Sequence, residues 1–388
     1  MKLRKKIMLG LWTLMLLAVT FTSTTYAWFK LNSHADVTFD FKVNGGLGFL
    51  VSVDNENFSN DITEDKLLMA YYYKTHEGNT EWSNGKLIDS NTKEEINEKT
   101  LKDEFSSIQL YPVTSNNGTT FTDLYKSSFG ISSKRYLEFD LYLRAASTSK
   151  DDNFTYDICL LYDDIEDEYS NKTIEKTSIT SNSAYIDLVA GMDTWKKDAI
   201  IDKPGALTKQ VLVNSSNAMR LSIESFDTIV EPIENEEGLQ TGENVDYKPK
   251  SQTANIYELT DDNDLGSYAT DYSGDNIEDR NVQLYNANYN AMYTYYKNRR
   301  PYSNLKPLKY DTKPTTIRNS DLINNEGNRN EKNPVIATVK SGEYSQKLTI
   351  RIWQEGWDAD CFDGLAESIN VRLSFQSFLK KNDNENNN

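Results

Sequence analysis

Several stretches of the chain alternate apolar and polar residues with a period of two. Val37, Phe39, Phe41 and Val43 are separated by Thr38, Asp40 and Lys42. Leu137, Phe139, Leu141 and Leu143 alternate with Glu138, Asp140, Tyr142 and Arg144. The same pattern recurs at Met219 to Glu224, Leu348 to Ile352 and Ile369 to Phe375. Leu47 to Val53, which follows Gly45-Gly46, and Phe154 to Tyr162 read as two more strands. Period two with one apolar face predicts half-buried antiparallel sheet. Such strands near both ends of the chain, with turn-rich loops between them, predict an all-β fold. The expected form is an antiparallel β-sandwich of jelly-roll or Greek-key type. Helical patterns are few. Asp61 to Tyr73 is one, with Thr63 as N-cap ahead of Glu64 and Asp65. Thr92 to Phe105 is a second, more polar one. Both are expected to decorate the sandwich.

Three segments break the alternation. Ile7 to Val19 is apolar except for Gly10 and Thr13, and it follows Lys2, Arg4, Lys5 and Lys6. Thr25-Tyr26-Ala27 then supplies the small-x-small pattern that signal peptidases cut. The apolar run of about 13 residues falls short of the roughly 20 that span a bilayer, the length a retained anchor would need. Residues 1–27 are therefore expected to be a signal peptide, leaving Trp28 as the new N-terminus of an extracellular or cell-surface protein. It would touch a membrane only through the uncleaved segment. Residues 234–332 are rich in Asn, Asp, Tyr and Gly and poor in aliphatics. They are expected to form a partly ordered, surface-exposed insertion, because so long a structureless loop is unusual within a domain. The sandwich would then comprise residues 28–233 and 333–379. Residues 380–388 are polar and low in complexity, and are expected to be disordered.

Composition narrows the function. Across 388 residues, Lys+Arg is 42 and Asp+Glu is 59, a formal net charge of −17. So acidic a chain repels phosphate backbones, which argues against nucleic acid as a partner. Only His34, His76, Cys159 and Cys361 are available as nitrogen or sulfur ligands, which excludes a cysteine-rich zinc scaffold. His76-Glu77 opens like the zinc motif His-Glu-x-x-His, but position 80 is Thr80. No Gly-x-Ser-x-Gly elbow is present, and Asn44-Gly45-Gly46-Leu47-Gly48 lacks the Lys-Ser/Thr of a phosphate loop. Carboxylates are so numerous that no glycosidase pair stands out. Glu355, Asp358, Asp360 and Asp363 cluster between two strands, and such hard oxygen ligands suit calcium as a cofactor. Their spacing differs from an EF-hand. The other reading is a loop whose Asp residues cap turns while Trp353 and Trp357 pack on the sheet rim. Cys159 and Cys361 would be able to pair after export, or remain two separate thiols. The 24 tyrosines suit an adhesive or carbohydrate-facing surface, or simply fill strand positions.

The segment Thr25-Tyr26-Ala27-Trp28-Phe29, behind a Lys-rich start and ahead of the strand Asp36 to Val43, resembles the TasA/camelysin family. These are Gram-positive surface proteins processed by a SipW-type signal peptidase. The resemblance implies a jelly-roll-like sandwich and a role in surface or biofilm-matrix fibres, in which subunits pass an N-terminal strand to the next copy. The resulting expectation is a secreted, non-catalytic cell-surface or extracellular-matrix protein. Val37, Phe39, Phe41 and Val43 would form its exchange segment, and its partners would be further copies or other surface proteins. Two alternatives stand beside it. One is a secreted hydrolase, a glycosidase or the metallo-endopeptidase that the camelysin label implies. The other is a calcium-dependent carbohydrate-binding module.

Overall fold

The computed structural model describes residues 41–44, 48–108, 110, 113–122, 128–149, 153–161, 164–167, 172–181, 183–189, 208–234, 240–259, 316–318, 322, 333–355 and 369–380. Two larger sheets organise them, and their strands are numbered here in chain order. These are β1 Phe41–Asn44, β2 Phe49–Ser52, β3 Asp61–Ile62, β4 Tyr136–Ala145, β5 Thr155–Leu160, β6 Ser178–Ser181 and β7 Met219–Glu234. Then come β8 Gln240–Pro249, β9 Asn255–Glu258, β10 Thr316–Arg318, β11 Ala337–Lys340, β12 Gln346–Gln354 and β13 Ile369–Leu379. The six-stranded sheet has the order β11-β5-β13-β1-β3, with β6 also on β13. The seven-stranded sheet has the order β10-β9-β7-β12-β4-β2, with β8 also on β7.

The fold is mostly β, but both sheets are mixed. β1 runs parallel to β13, and β9 runs parallel to β10. The alternation had predicted antiparallel pairing throughout. Period two reports which face is buried and is silent on the direction of the neighbour. β1 and β13 lie at opposite ends of the described chain, so no short hairpin fixes their relative direction.

The apolar phase of each strand supplies the core. Leu141 and Leu143 of β4, Leu348, Ile350 and Ile352 of β12, and Leu221 of β7 are all fully buried. So are Ile158 and Leu160 of β5 and Ile369, Val371 and Leu373 of β13. Residues of both sheets thus join one hydrophobic cluster. Each such side chain contributes about 1.5–3 kcal/mol relative to exposure.

Two α-helices are present among the described residues: α1 Glu64–Thr75 and α2 Glu98–Ser106. α1 begins after Thr63 as expected, but Asp61 and Ile62 belong to β3, where buried Ile62 pairs with Val43. β2 covers β4 only along Leu143–Ala145 and Tyr142, so the rest of that edge is open to α1. There Leu67, Leu68 and Tyr71 meet Leu137 and Phe139 around a small cavity. α2 starts later than its polar pattern suggested, because Asn97 is its cap. The Asn97 carboxamide oxygen accepts the Thr100 N–H at 2.9 Å. α2 then packs Phe105 edge-on against Tyr71 of α1.

Three strands, β8, β9 and β10, fall within residues 234–332. Ile256, Tyr257 and Glu258 of β9 are buried, so this part of the stretch belongs to the seven-stranded sheet. A short Ile-Tyr island has strand propensity and finds a place beside β7, where Tyr257 opposes Leu221. Residues 1–27, 260–315 and 381–388 lie outside the described residues. No helix among the described residues is long and apolar enough to cross a membrane.

Candidate functional site

β1 is the first described strand and holds an interior place. Phe41 to Asn44 pair with Val371 to Ser374 on one side, a ladder of four residues. On the other side, among the described residues, only Val43 and Asn44 are paired, with Ile62 and Asp61. The chain then leaves one sheet for the other, since β2 belongs to the seven-stranded sheet. Gly48 makes that passage. Its φ is +96°, and a Cβ there would lie 2.8 Å from the Tyr156 ring. Only glycine suits both the backbone angle and the close approach. Of the expected exchange segment, Phe41 and Val43 lie in β1, and Val37 and Phe39 lie outside the described residues. So do the cleavage residues Thr25, Tyr26, Ala27 and Trp28.

The second constellation lies on the polar phase of β4, β12 and β7, a face the alternation assigned to solvent. Glu138, Asp140, Glu224 and Arg351 are each only 8% exposed, and Thr349 is buried. The antiparallel register sets Arg351 opposite Glu138 and Thr349 opposite Asp140. Arg351 Nε donates to Glu138 Oε2 at 2.7 Å, and its Nη1 donates to Glu224 Oε2 at 2.7 Å. Thr349 Oγ1 donates to Asp140 Oδ1 at 2.6 Å. Lys347 Nζ lies 2.9 Å from Asp140 Oδ2, and Lys74 Nζ of α1 lies 3.2 Å from it. Three cations thus face three carboxylates across four elements.

Burial alone would push the Asp140 carboxyl up. Lys74, Lys347 and the Thr349 and Lys347 hydrogen bonds outweigh it and hold the group below its ordinary value. Burial likewise works against the charge on Lys74, but Asp140 and Glu138 outweigh it and raise that amine. The arrangement is charge-matched, and every one of these carboxylates has a donor. A guanidinium that stays protonated holds two of the acids, which suits an electrostatic tie between strands better than proton transfer to a substrate.

The remaining candidates are placed as follows. Glu355 is fully buried, its N–H donates to the Ala218 carbonyl at 2.7 Å, and Trp353 Nε1 donates to its Oε2 at 3.2 Å. Asp358, Asp360 and Asp363 lie outside the described residues. Among the described residues no three His, Cys, Asp or Glu side chains are grouped to hold a metal. Cys159 is buried on β5, and Cys361 lies outside the described residues. His76 follows the last turn of α1, where its ring stacks on Tyr72 with centroids 4.0 Å apart. Thr80, at the position of the missing zinc ligand, donates its hydroxyl to the His76 carbonyl at 3.2 Å.

Sequence reasoning passed over Lys74, Glu138, Asp140, Glu224, Lys347, Thr349 and Arg351 as a site. One signal was available: acids alternate in β4 and cations in β12, in phases that oppose once the strands pair. No family model, curated protein or solved structure matches the chain. The TasA/camelysin resemblance therefore rests on the residues around Ala27 and the strand that follows.

Proposed function

We propose that this is a secreted, non-catalytic cell-surface or extracellular-matrix protein whose copies join into fibres by exchanging the N-terminal strand. In this reading the two sheets sharing one apolar cluster are the layers of a jelly-roll-type sandwich, and the exported chain begins at Trp28. The observation that carries the proposal is the seat of β1. Among the described residues it is held by a four-residue ladder on β13 and a two-residue one on β3, so few of these main-chain bonds must be released to vacate it. A vacated seat leaves unpaired N–H and C=O groups on β13, which template another strand. The same strand from a second copy would restore the same ladder, so exchange is close to neutral in contact energy. The passage through Gly48 is the natural pivot, since β1 and β2 lie in different sheets.

Negative-stain microscopy of the 28–388 chain across concentration tests the proposal. Fibres or closed oligomers that grow with concentration are the expected result. A monomer at every concentration would contradict it. N-terminal sequencing of secreted material should find Trp28 first, and finding Met1 would remove the export step on which the reading depends.

A further inference from the structure

Between β6 and β7 the chain leaves both larger sheets and forms a ribbon of its own. Ser183–Val189 and Thr208–Asn214, seven residues each, pair antiparallel from Ser183 with Asn214 to Val189 with Thr208. Among the described residues no third strand joins this ribbon. The register fixes which residues share a face. Ala184, Ile186 and Leu188 fall on one face with Val213, Val211 and Lys209, so five of its six positions are aliphatic. The other face mixes apolar and polar residues. A two-stranded ribbon is marginal in water by itself, and an aliphatic face on it calls for a cover.

The strand pairings place the root of the ribbon. β6 runs antiparallel to β13, from Ser178 opposite Arg372 to Ser181 opposite Ile369, and Ser183 follows two positions later. The ribbon therefore leaves the six-stranded sheet at the end where β13 begins. β1 runs parallel to β13 with Phe41 opposite Val371, so β1 enters from that same end. Val371 and Arg372 pair with β1 on one edge and with β6 on the other. β1 and β6 are thus two strand spacings apart, about 10 Å, which is also the distance between stacked sheets.

Length and pattern select the occupant. Trp28 to Asp40 is 13 residues, about 43 Å when extended, against about 23 Å for the ribbon. The seven residues His34 to Asp40, which lead into β1, equal each ribbon strand in number. Val37 and Phe39 continue the apolar phase of Phe41 and Val43, with Thr38 and Asp40 between them. Residues 356–368 also reach this end, but they are tied at both ends because they join β12 to β13. The segment before β1 is tied at one end only. We propose that the aliphatic face of the ribbon is the seat of residues 34–40, covered by Val37 and Phe39. The receptacle of the N-terminal strand then extends from β13 onto the ribbon. The inference rests on the exchange reading only for which copy supplies the segment: the same chain in a monomer, the neighbour in a fibre.

Amide hydrogen exchange on the 28–388 chain is the test, with assembly followed separately by sedimentation. In the wild type the ribbon amides of 184–188 and 209–213 should be protected. The Val37→Thr/Phe39→Thr variant keeps strand propensity and removes the apolar cover. It should speed exchange in the ribbon at least roughly tenfold while β4, β12 and β13 stay unchanged. Val37→Thr alone leaves Phe39 in place and decides the case if the double variant does not fold. It should give a smaller rise in the same amides. Unprotected ribbon amides in the wild type, or equal exchange in the folded variant, would overturn the inference. A rise that reaches β13 equally would do the same, since β1 itself would have come loose. So would ribbon amides that speed up only on Trp357→Ser/Phe362→Ser, which would make 356–368 the cover. A monomer whose ribbon is protected by Val37 and Phe39 upholds this inference and removes the exchange reading alone. Fibres whose ribbon is indifferent to both residues do the reverse.

Discussion

Arg351 is the residue on which three strands converge, since its guanidinium joins Glu138 of β4 and Glu224 of β7 from its place on β12. Removing one member of such a buried set leaves the others charged and uncompensated, which costs about 3–5 kcal/mol. Arg351→Met should therefore lower the unfolding free energy by about that amount, read from the urea midpoint at constant slope. Asp140 gives the pH dependence. Its carboxyl is depressed in the folded state, so its contribution is present above the unfolded value of about 3.9 and is lost as pH falls through the lower folded value. Asp140→Asn should flatten the loss of stability below about pH 4 relative to wild type, measured by thermal unfolding at a series of pH values. Equal acid slopes would show that Asp140 is not the titrating group. The alternation made the placement of Glu138 and Asp140 on one face legible. It did not reveal that α1 and the neighbouring strands close that face, because a solvated polar face and a buried, paired one share the same pattern. Gly48 fell within the expected strand Leu47 to Val53, and the ring of Tyr156 that forbids a side chain there comes from 108 positions along the chain.

Among the elements, β4, β7, β12 and β13 were readable because each carries a one-sided apolar phase over five or more residues. β4, β12 and β13 follow that phase closely. The helices were readable in kind but less so in extent. β3 takes Asp61 and Ile62 because Ile62 gains burial against β1, and local helix propensity cannot compete with that tertiary contact. The start of α2 depends on a single cap. Asn97→Ala should cost about 1 kcal/mol and should speed amide exchange in Glu98–Ser106 while leaving β12 unchanged. A uniform rise in exchange across the chain would mean that α2 is coupled to the global core instead. β9 lay hidden in a polar, Tyr-rich stretch, where four residues are too few to establish a period. The direction of β1 was not legible either, since its partner lies more than 300 positions away.

At the scale of the molecule, two mixed sheets contribute to one apolar cluster, and the first described strand is seated beside the last. In the proposed account, its short ladder among the described residues and its position before Gly48 suit it to being lent to a neighbour. The exchange account is tested most directly by sedimentation velocity on a chain beginning at Asn44, alone and with a synthetic peptide of residues 28–43, beside the 28–388 chain. The account predicts that the truncated chain sediments as a folded monomer, takes up one peptide and does not polymerise, while the 28–388 chain forms species that grow with concentration. A 28–388 chain that stays monomeric at every concentration, beside a truncated chain that takes up no peptide, would contradict it.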